Sequence, residues 1–277
     1  INRISKSMNR KKVLLVSQEL DPYLVLTEIG NVVKKIAPFV HDNGLEVRVL
    51  MPKFGVINER RNRLHEVVRL SGINIIINDE DHPLIIKVAS LPGARIQIYF
   101  LDNEDFFKRK QVFRDDNEVY FEDNVERMVF FSKGVLETVK KFGWSPDIMH
   151  LHGWMTSLIP MYLKTVYAKD PVFDKTKTVF SLYGEEFSEK LDSSFLIKAK
   201  ISEDIPDEAM EQLSGLDHLS LNKSAVTYAD GIVWAIPNAS QNSELEEYAK
   251  GKVELVISED IDIAPTYLEY YNKLLSE

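Results

Sequence analysis

A strand–helix–strand pattern near the start of the chain constrains its fold most. The apolar run at residues 12–16 predicts a buried strand, residues 29–42 predict a helix, and residues 45–52 predict a second strand. Asn43-Gly44 is a usual stop signal for the helix between them. Such a unit implies two parallel strands joined by a right-handed crossover. The pattern therefore predicts a parallel sheet, with ligands expected at the carboxyl ends of its strands.

The following segment interrupts this pattern. Three β-rich runs, at residues 65–78, 83–90 and 95–102, lie close together and are separated by turn signals. Strands without intervening helices favour antiparallel pairing. We therefore expect an antiparallel excursion from an otherwise parallel, doubly wound α/β sheet.

Alternating elements resume in the second half of the chain. A long amphipathic helix is predicted within residues 118–142, a strand within 146–154, and a helix within 155–168. Further strands are predicted within 176–184 and 229–237, with the second interpreted as the last strand, followed by a helix from about residue 241. The polar stretch 185–212 is typical of a long loop with short helices.

Composition excludes several classes of function. A net charge of -9 argues against nucleic-acid binding, which needs a basic surface. The chain contains no cysteine, so disulfides, thiolate metal sites and cysteine nucleophiles are excluded. No apolar run is long enough for a membrane span, and we expect a cytoplasmic protein with no membrane partner. Residues 1–10 are interpreted as disordered or as a leader remnant, and residues 11–277 as a single domain.

The turn before the first predicted helix lacks the glycines of a phosphate-binding loop. No two glycines of the chain are adjacent or separated by one residue, so neither G-x-G-x-x-G nor a P-loop is present. Thr27 and Glu28 lie in this turn instead. Glu28 would repel a phosphate at the helix start, and it equally suits the helix dipole.

The sharpest local feature is "HLHGW" at residues 150–154. His150 and His152 are two residues apart on a predicted strand, so their side chains share a face. No third ligand accompanies them, and we predict no metal and no cofactor. His152 is a candidate for a hydrogen bond to a sugar hydroxyl, with Trp154 as an apolar wall. The alternative is a core histidine beside a core tryptophan.

Seven segments in a fixed order connect these features to a known family. They are "KKVLLVSQELDPY", "VRVLMPKFG", "YFLDNEDFFKRKQVF", "YFEDNVERMVFFSKGVLE", "WSPDIMHLHGWMTSLIPMYLK", "KTVFSLYG" and "YADGIVWAIPNA". Together they resemble the N-terminal half of bacterial glycogen synthases and plant starch synthases over residues 11–250. Those enzymes are retaining glucosyltransferases that move glucose from ADP-glucose to an α-1,4-glucan.

The resemblance implies a fold and a set of site residues. The fold would be the N-terminal Rossmann-like domain of a GT-B glycosyltransferase, which mainly holds the glucan acceptor, whereas a C-terminal domain holds most of the nucleotide sugar. His152 matches the histidine near the transferred glucose and is the candidate catalytic residue. The implied substrate-binding residues are Trp154, Gly30 and the D-N-x-x-R segment of Asp123, Asn124 and Arg127.

Several positions depart from the family pattern. The family loop K-x-G-G-L-x-D-V is replaced at residues 25–32 by "VLTEIGNV", without the lysine and both glycines that face the donor phosphates. Met155 replaces the histidine of a W-H pair, and Tyr183-Gly184 replaces an H-N pair. The sequence also ends without a second, donor-binding domain. We therefore expect the chain alone to be weak or inactive as a glucosyltransferase.

Three hypotheses follow for its role, and they leave open whether the chain is an enzyme. In the first, the domain is an enzyme component that a separate donor-domain chain completes. In the second, it is a non-catalytic glucan-binding or regulatory module. In the third, it is a protein-interaction module. An α-glucan is a possible ligand, and a homodimer is a possible assembly. The amphipathic helix from Thr266 is a candidate cover or dimer element, and the alternative is packing back on its own domain.

Overall fold

The computed structural model describes residues 10–184, 187–235 and 243–276. Of the predicted leader remnant, only Arg10 belongs to this part of the chain. The strands are β1 (Lys12–Ser17), β2 (Glu46–Pro52), β3 (His65–Glu66), β4 (Ile73–Ile77), β5 (Glu80–Ser90), β6 (Gln97–Asp102), β7 (Ile148–His152), β8 (Lys177–Leu182), β9 (Gly231–Trp234) and β10 (Val253–Val256). The helices are α1 (Glu28–Asp42), α2 (Glu104–Phe107), α3 (Asn124–Phe142), α4 (Ile159–Lys164), α5 (Phe195–Ala199), α6 (Asp207–Glu211), α7 (His218–Tyr228), α8 (Ser243–Ala249) and α9 (Ile263–Ser276), with a 3₁₀ turn at Trp154–Thr156.

The strands form one mixed sheet in the order β10-β9-β8-β7-β1-β2-β6-β5-β3, with β4 paired to β5. All neighbours from β10 to β6 pair in parallel. Strand β5 runs antiparallel to β6, β3 and β4. The predicted parallel sheet with an antiparallel excursion is confirmed.

The direction of the crossovers changes at β1. The connection through α1 leads from β1 to β2 on one side, whereas the connection through α3 leads from β6 back to β7 on the other side of β1. Right-handed crossovers in opposite directions place their helices on opposite faces of the sheet, so the sheet is doubly wound. The carboxyl ends of β1 and β7 therefore form a topological switch point, where ligands of such sheets bind.

The end of the sheet differs from the sequence-based expectation. The interpretation of residues 229–237 as the last strand is wrong, because β10 pairs in parallel with β9. Alternate residues of β10 are exposed, and the Glu254 carboxylate accepts a hydrogen bond from the Trp234 indole at 2.7 Å. A short, half-exposed edge strand has no continuous apolar run to reveal it. The helix predicted from about residue 241 is described from Ser243 onward.

Helix α9 packs against α1 rather than projecting from the domain. Tyr267, Tyr271 and Leu274 on its inner face are each at most 1% exposed. The Tyr270 hydroxyl donates to the backbone carbonyl of Val253 at 2.9 Å. This arrangement corresponds to the alternative of packing back on the domain. None of the helices in the described ranges is long and apolar enough to cross a membrane.

Candidate functional site

The buried carboxylate of Glu19 lies in the loop between β1 and α1. Glu19 is 0% exposed. Its carboxylate accepts hydrogen bonds from the backbone N–H of Leu26, from the backbone N–H of Thr27 at 3.0 Å, and from the Thr27 hydroxyl. Free N–H groups at a helix start normally form an anion site. Here a carboxylate of the chain itself binds the two backbone N–H groups just before the helix start.

The outer side of the same loop is apolar. Val25 and Leu26, which stand where the family pattern has a lysine and its neighbour, are 48% and 45% exposed. Thr27 is the N-cap of α1, and Glu28 lies exposed in the first turn. This position of Glu28 fits the interpretation in terms of the helix dipole. The loop therefore offers no cation of its own to a bound phosphate.

Gly30 lies inside the first turns of α1 and is buried. Its carbonyl accepts the Asp21 N–H at 3.2 Å. A Cβ at this position would lie 3.1 Å from the carbonyl oxygen of Leu24. The structure therefore places Gly30 where it lets the loop pack closely on the helix.

The two histidines of β7 are core residues on one face, with ring centroids 4.0 Å apart and no exposure. His150 is hydrogen-bonded through Nδ1 to the Tyr271 hydroxyl at 2.6 Å and through Nε2 to the Ser181 hydroxyl at 2.7 Å. His152 is hydrogen-bonded through Nδ1 to the Tyr183 hydroxyl at 2.7 Å. In the described part of the chain, no group of three or more His, Asp or Glu residues could hold a metal ion.

Burial keeps both imidazoles neutral. It lowers the pKa of His152 to about 3 and the pKa of His150 well below its usual value, with the neighbouring His152 adding to the shift of His150. His152 Nε2 has no hydrogen-bond partner among the described residues. The atom is therefore free to bind a ligand, but the side chain is closed to solvent in this conformation.

A small recess lies at the carboxyl ends of β1 and β7, and neither histidine lines it. It has a volume of about 150 Å³. Half of its lining is aromatic; the lining residues are Gln18, Leu26, Thr27, Phe113, Arg114, Tyr120, Trp154 and Phe187. Ligand pockets for drug-sized molecules span about 300–1,000 Å³. The recess is therefore too small for a whole nucleotide sugar.

Trp154 forms one wall of the recess and is 5% exposed. Its ring centroid lies 4.9 Å from that of Phe113 and 5.3 Å from that of Phe187. Tyr120 stacks on Phe187 at 5.4 Å. These three partners of Trp154 have no local sequence signal. Phe113 and Tyr120 come from the loop before α3 and Phe187 from the loop after β8, and the two loops meet only in the tertiary fold.

The D-N-x-x-R segment braces the loop that carries Phe113. Asp123 accepts two hydrogen bonds of 2.7 Å from one nitrogen of Arg109, and the Asn124 amide donates to the Phe113 carbonyl at 2.9 Å. Arg127 donates to Asn124 Oδ1 at 2.6 Å. None of the three residues lines the recess. In this structure they reach the recess only through the loop they hold.

Arg127 is a buried cation in this brace. It is 0% exposed, and burial lowers its pKa to about 9. Besides Asn124, it donates to the Val112 carbonyl at 2.5 Å. Its guanidinium lies 5.3 Å from the ring centroids of both Phe54 and Phe107. These contacts orient the side chain toward the loop and away from solvent.

A tight contact joins the two strands of the switch point. The backbone N–H of Met155 donates to Gln18 Oε1 at 3.3 Å. Gly153 has φ of 91°, and a Cβ there would lie 2.3 Å from Gln18 Cδ. Only glycine meets both conditions without strain. Gly153 thus sets how closely the segment leading to Trp154 approaches β1.

Comparisons with known proteins agree with this architecture. Residues 12–255 match the family model of the starch synthase catalytic domain. A glycogen synthase of Pelodictyon phaeoclathratiforme is 36% identical over 250 residues, which cover 87% of this chain and 50% of that protein. A glycogen synthase of Chlorobium chlorochromatii is 44% identical over 180 residues, covering 64% of this chain and 36% of that protein.

A solved structure supports the fold. The catalytic domain of starch synthase IV from Arabidopsis thaliana, bound to ADP and acarbose, superposes with a TM-score of 0.73 and 19% identity over 90% of this chain and 52% of that one. The chain spans about half, or less, of the length of the glycogen synthases it matches. The extent of the family match, the order of the motifs and the doubly wound sheet lead to one conclusion: this chain belongs to the glycogen and starch synthase family of glycosyltransferases.

Proposed function

We propose that this domain is the acceptor-side half of a glycogen/starch synthase-like glucosyltransferase, and that it has little or no transfer activity by itself. The family reaction moves glucose from ADP-glucose to an α-1,4-glucan. The observation that carries the proposal is the loop before α1, where the exposed side chains of Val25 and Leu26 stand in place of the family's lysine and its neighbour.

Charge explains why this loop opposes donor binding. A leaving diphosphate needs preorganised positive partners. Here it would meet the exposed side chains of Val25 and Leu26. Arg114, the cation of the neighbouring recess, is already ion-paired with Glu189.

The state of His152 points in the same direction. The residue is fully buried, and burial holds its pKa at about 3. Its Nδ1 is already bonded to Tyr183, which replaces a histidine of the family pattern. A sugar hydroxyl could reach His152 Nε2 only after the surrounding side chains move.

The aromatic recess favours a second candidate function, that of a non-catalytic glucan-binding module. Trp154, Phe113 and Phe187 line the recess at the switch point and pack against one another. Aromatic walls with a few polar groups suit the faces and hydroxyls of a sugar. An α-glucan is therefore the ligand we propose, and a separate donor-domain chain or a second copy is the proposed partner.

We also propose a cytoplasmic location. The absence of cysteine is compatible with a reducing compartment.

Calorimetric titration of the full chain with ADP-glucose and with maltoheptaose tests the proposal. We expect the glucan to bind and ADP-glucose not to bind. Clear ADP-glucose binding, or glucosyl transfer above background, would overturn the claim of a blocked donor site. Failure of both ligands to bind would overturn the acceptor-side assignment and favour the protein-interaction hypothesis.

A gain-of-function variant sharpens the test. Val25→Lys combined with Thr27→Gly and Glu28→Gly restores the family residues at three positions of the loop. If the loop is what blocks the donor, this variant should bind ADP-glucose measurably better than the original chain. Val56→Lys is the matched control, because Val56 is similarly exposed, at 47%, in a loop outside the recess.

A further inference from the structure

A second pocket, larger than the recess, lies near the amino ends of β2 and β6, whereas the recess lies at the carboxyl ends of β1 and β7. It has a volume of about 400 Å³, which is within the range for small-molecule sites. Its floor includes Tyr99 and Gln97 near the start of β6. Its walls come from the end of α3 and from the segment after β3. The pocket is therefore separate from the switch point.

The lining of this pocket is basic. Arg48, Arg69, Lys141 and His65 line it, and none of its described lining residues is acidic. This is unusual on a chain with a net charge of -9. Clusters of like charge in a concave site raise the local concentration of counter-ions.

Arg48 is held in a fixed orientation. Its guanidinium lies 4.5 Å from the ring centroid of Trp144 and 5.2 Å from that of Phe142. The nearest carboxylate is that of Glu46, at 3.8 Å, and it also accepts the Trp144 indole N–H at 2.7 Å. Glu46 is thus shared and only partly neutralises Arg48. A stacked guanidinium with free N–H groups is preorganised to bind an oxyanion.

The other basic side chains of the pocket have fewer partners. Arg69 and His65 form no side-chain hydrogen bond or ion pair with any residue in the described ranges. Lys141 donates to the Ser71 carbonyl at 3.1 Å and lies in the last turn of α3, where it offsets the partial negative charge of the helix end. Arg69 is therefore the cation most available to a ligand.

Polar groups on the floor complete the pocket. The Tyr99 hydroxyl donates to Gln97 Oε1 at 2.6 Å. Burial raises the pKa of Tyr99, and the charges of Arg48 and Arg69 oppose that rise. Arg48, Arg69 and Tyr99 line the same pocket, and the described lining contains no carboxylate.

We infer that this pocket binds a small phosphate-bearing anion, with Arg48 and Arg69 as its main ligands. Two guanidinium groups match the oxygens of a phosphate or diphosphate, which accept paired N–H donors. The Phe142 ring and the Tyr99–Gln97 pair would contact the remainder of such a molecule. The site is independent of the proposed transfer function.

Calorimetric titration with inorganic pyrophosphate in a chloride buffer at about pH 7 tests this inference. We expect one molecule bound per chain and a clear preference over sulfate. Arg69→Gln should weaken binding about 10-fold or more, since a hydrogen bond to a charged group is lost. Arg69 is exposed, so this variant is expected to fold normally, and Arg48→Gln provides a second, independent variant.

Two controls locate the site. Lys169→Gln removes an exposed charge elsewhere, and Arg114→Gln removes the cation of the aromatic recess, so neither should change pyrophosphate binding. Absence of pyrophosphate binding, or binding unchanged in both arginine variants of the pocket, would overturn the inference. Equal binding of sulfate would indicate an adventitious ion only. A loss confined to Arg114→Gln would move the anion to the switch point and equally overturn it.

Discussion

The Glu19 carboxylate accepts the backbone N–H of Thr27 at 3.0 Å and also accepts the Thr27 hydroxyl. Thr27 is the N-cap of α1, so this contact joins the end of the first strand to the start of the first helix. In a sheet of this topology, the same helix start is a usual place for a ligand phosphate. Here a side chain of the domain satisfies the two backbone donors that directly precede this helix start.

Removing this charge should destabilise the loop. Glu19→Gln replaces an ionised acceptor of two backbone N–H groups with a neutral amide that also brings donors of its own. We expect the free energy of unfolding to fall by about 1–3 kcal/mol, as measured by urea denaturation. Glu28→Gln is the matched control: Glu28 lies exposed in the first turn of α1, and its loss should cost about 0.3–1 kcal/mol. Equal losses would contradict a special role for Glu19.

Gly153→Ala should destabilise the protein more than an alanine at a glycine of similar φ that has no close neighbour. The added Cβ would lie 2.3 Å from Gln18 Cδ, in a backbone conformation with φ of 91°. Positive φ alone costs about 1 kcal/mol or more, and overpacking adds about 1–3 kcal/mol. Gly72→Ala is the control, because Gly72 has φ of 83° but no atom within 4 Å of the added Cβ. Similar losses of unfolding free energy in both variants would show that the Gln18 contact is unimportant.

Asn124→Ala should release the loop that carries Phe113. The change removes the donor to the Phe113 carbonyl and an acceptor of Arg127. Arg127 would keep the Val112 carbonyl and the Phe113 carbonyl would keep the Phe121 N–H, so the loss of the two Asn124 contacts is expected to cost about 1–3 kcal/mol in urea denaturation. Maltoheptaose binding should weaken as well, because Phe113 faces Trp154 in the recess. Asn117→Ala, at an exposed position of the same segment, should stay within about 0.5 kcal/mol of the original chain.

The buried histidines predict a loss of stability in acid. The pKa of folded His152 is about 3, whereas the ordinary pKa of histidine is 6.5, so below about pH 6.5 the unfolded chain binds a proton that the folded chain does not. The free energy of unfolding that depends on this residue is therefore fully present above that pH and falls as the pH drops toward 3. Between about pH 7.5 and 5.5, one such histidine lowers the free energy of unfolding by about 1.4 kcal/mol.

Urea denaturation of His152→Gln at both pH values checks this assignment. Between these two pH values, the free energy of unfolding of the variant should fall by about 1.4 kcal/mol less than that of the original chain. His218, whose pKa burial lowers to about 4, offers an independent variant, His218→Gln, with a change in the same direction. A pH dependence of His152→Gln identical to that of the original chain would contradict a neutral, buried His152.

The parallel sheet could be predicted because its strands are continuous apolar runs between turn signals. The shared face of His150 and His152 followed from strand geometry alone. Strand β10 escaped prediction, since Glu254 interrupts its apolar pattern and makes its hydrogen bond only after the chain has folded. The helix predicted within residues 118–142 begins only at Asn124. Residues 118–123 lie before the helix, where Tyr120 forms an isolated β-bridge with Arg114.

The candidate site was predicted only in part. The family pattern pointed to His152 and Trp154, and both lie at the switch point. Neither the aromatic partners of Trp154 nor the contact between Glu19 and the loop has a local sequence signal. A glutamate seven residues before a backbone donor reaches it only if the intervening loop turns back on the strand. Such contacts depend on tertiary geometry, which spacing does not encode.

The packing of α9 on α1 also has a consequence for synthesis on the ribosome. Strand β1 is central in the sheet, and α1, which follows it, is covered by a helix made more than two hundred residues later. Chains dominated by such distant contacts fold slowly, and they expose apolar surface until these contacts have formed. The earliest-made strand and helix therefore stay incompletely covered until residues 263–276 have emerged, and we expect nascent chains that stop before them to need a chaperone.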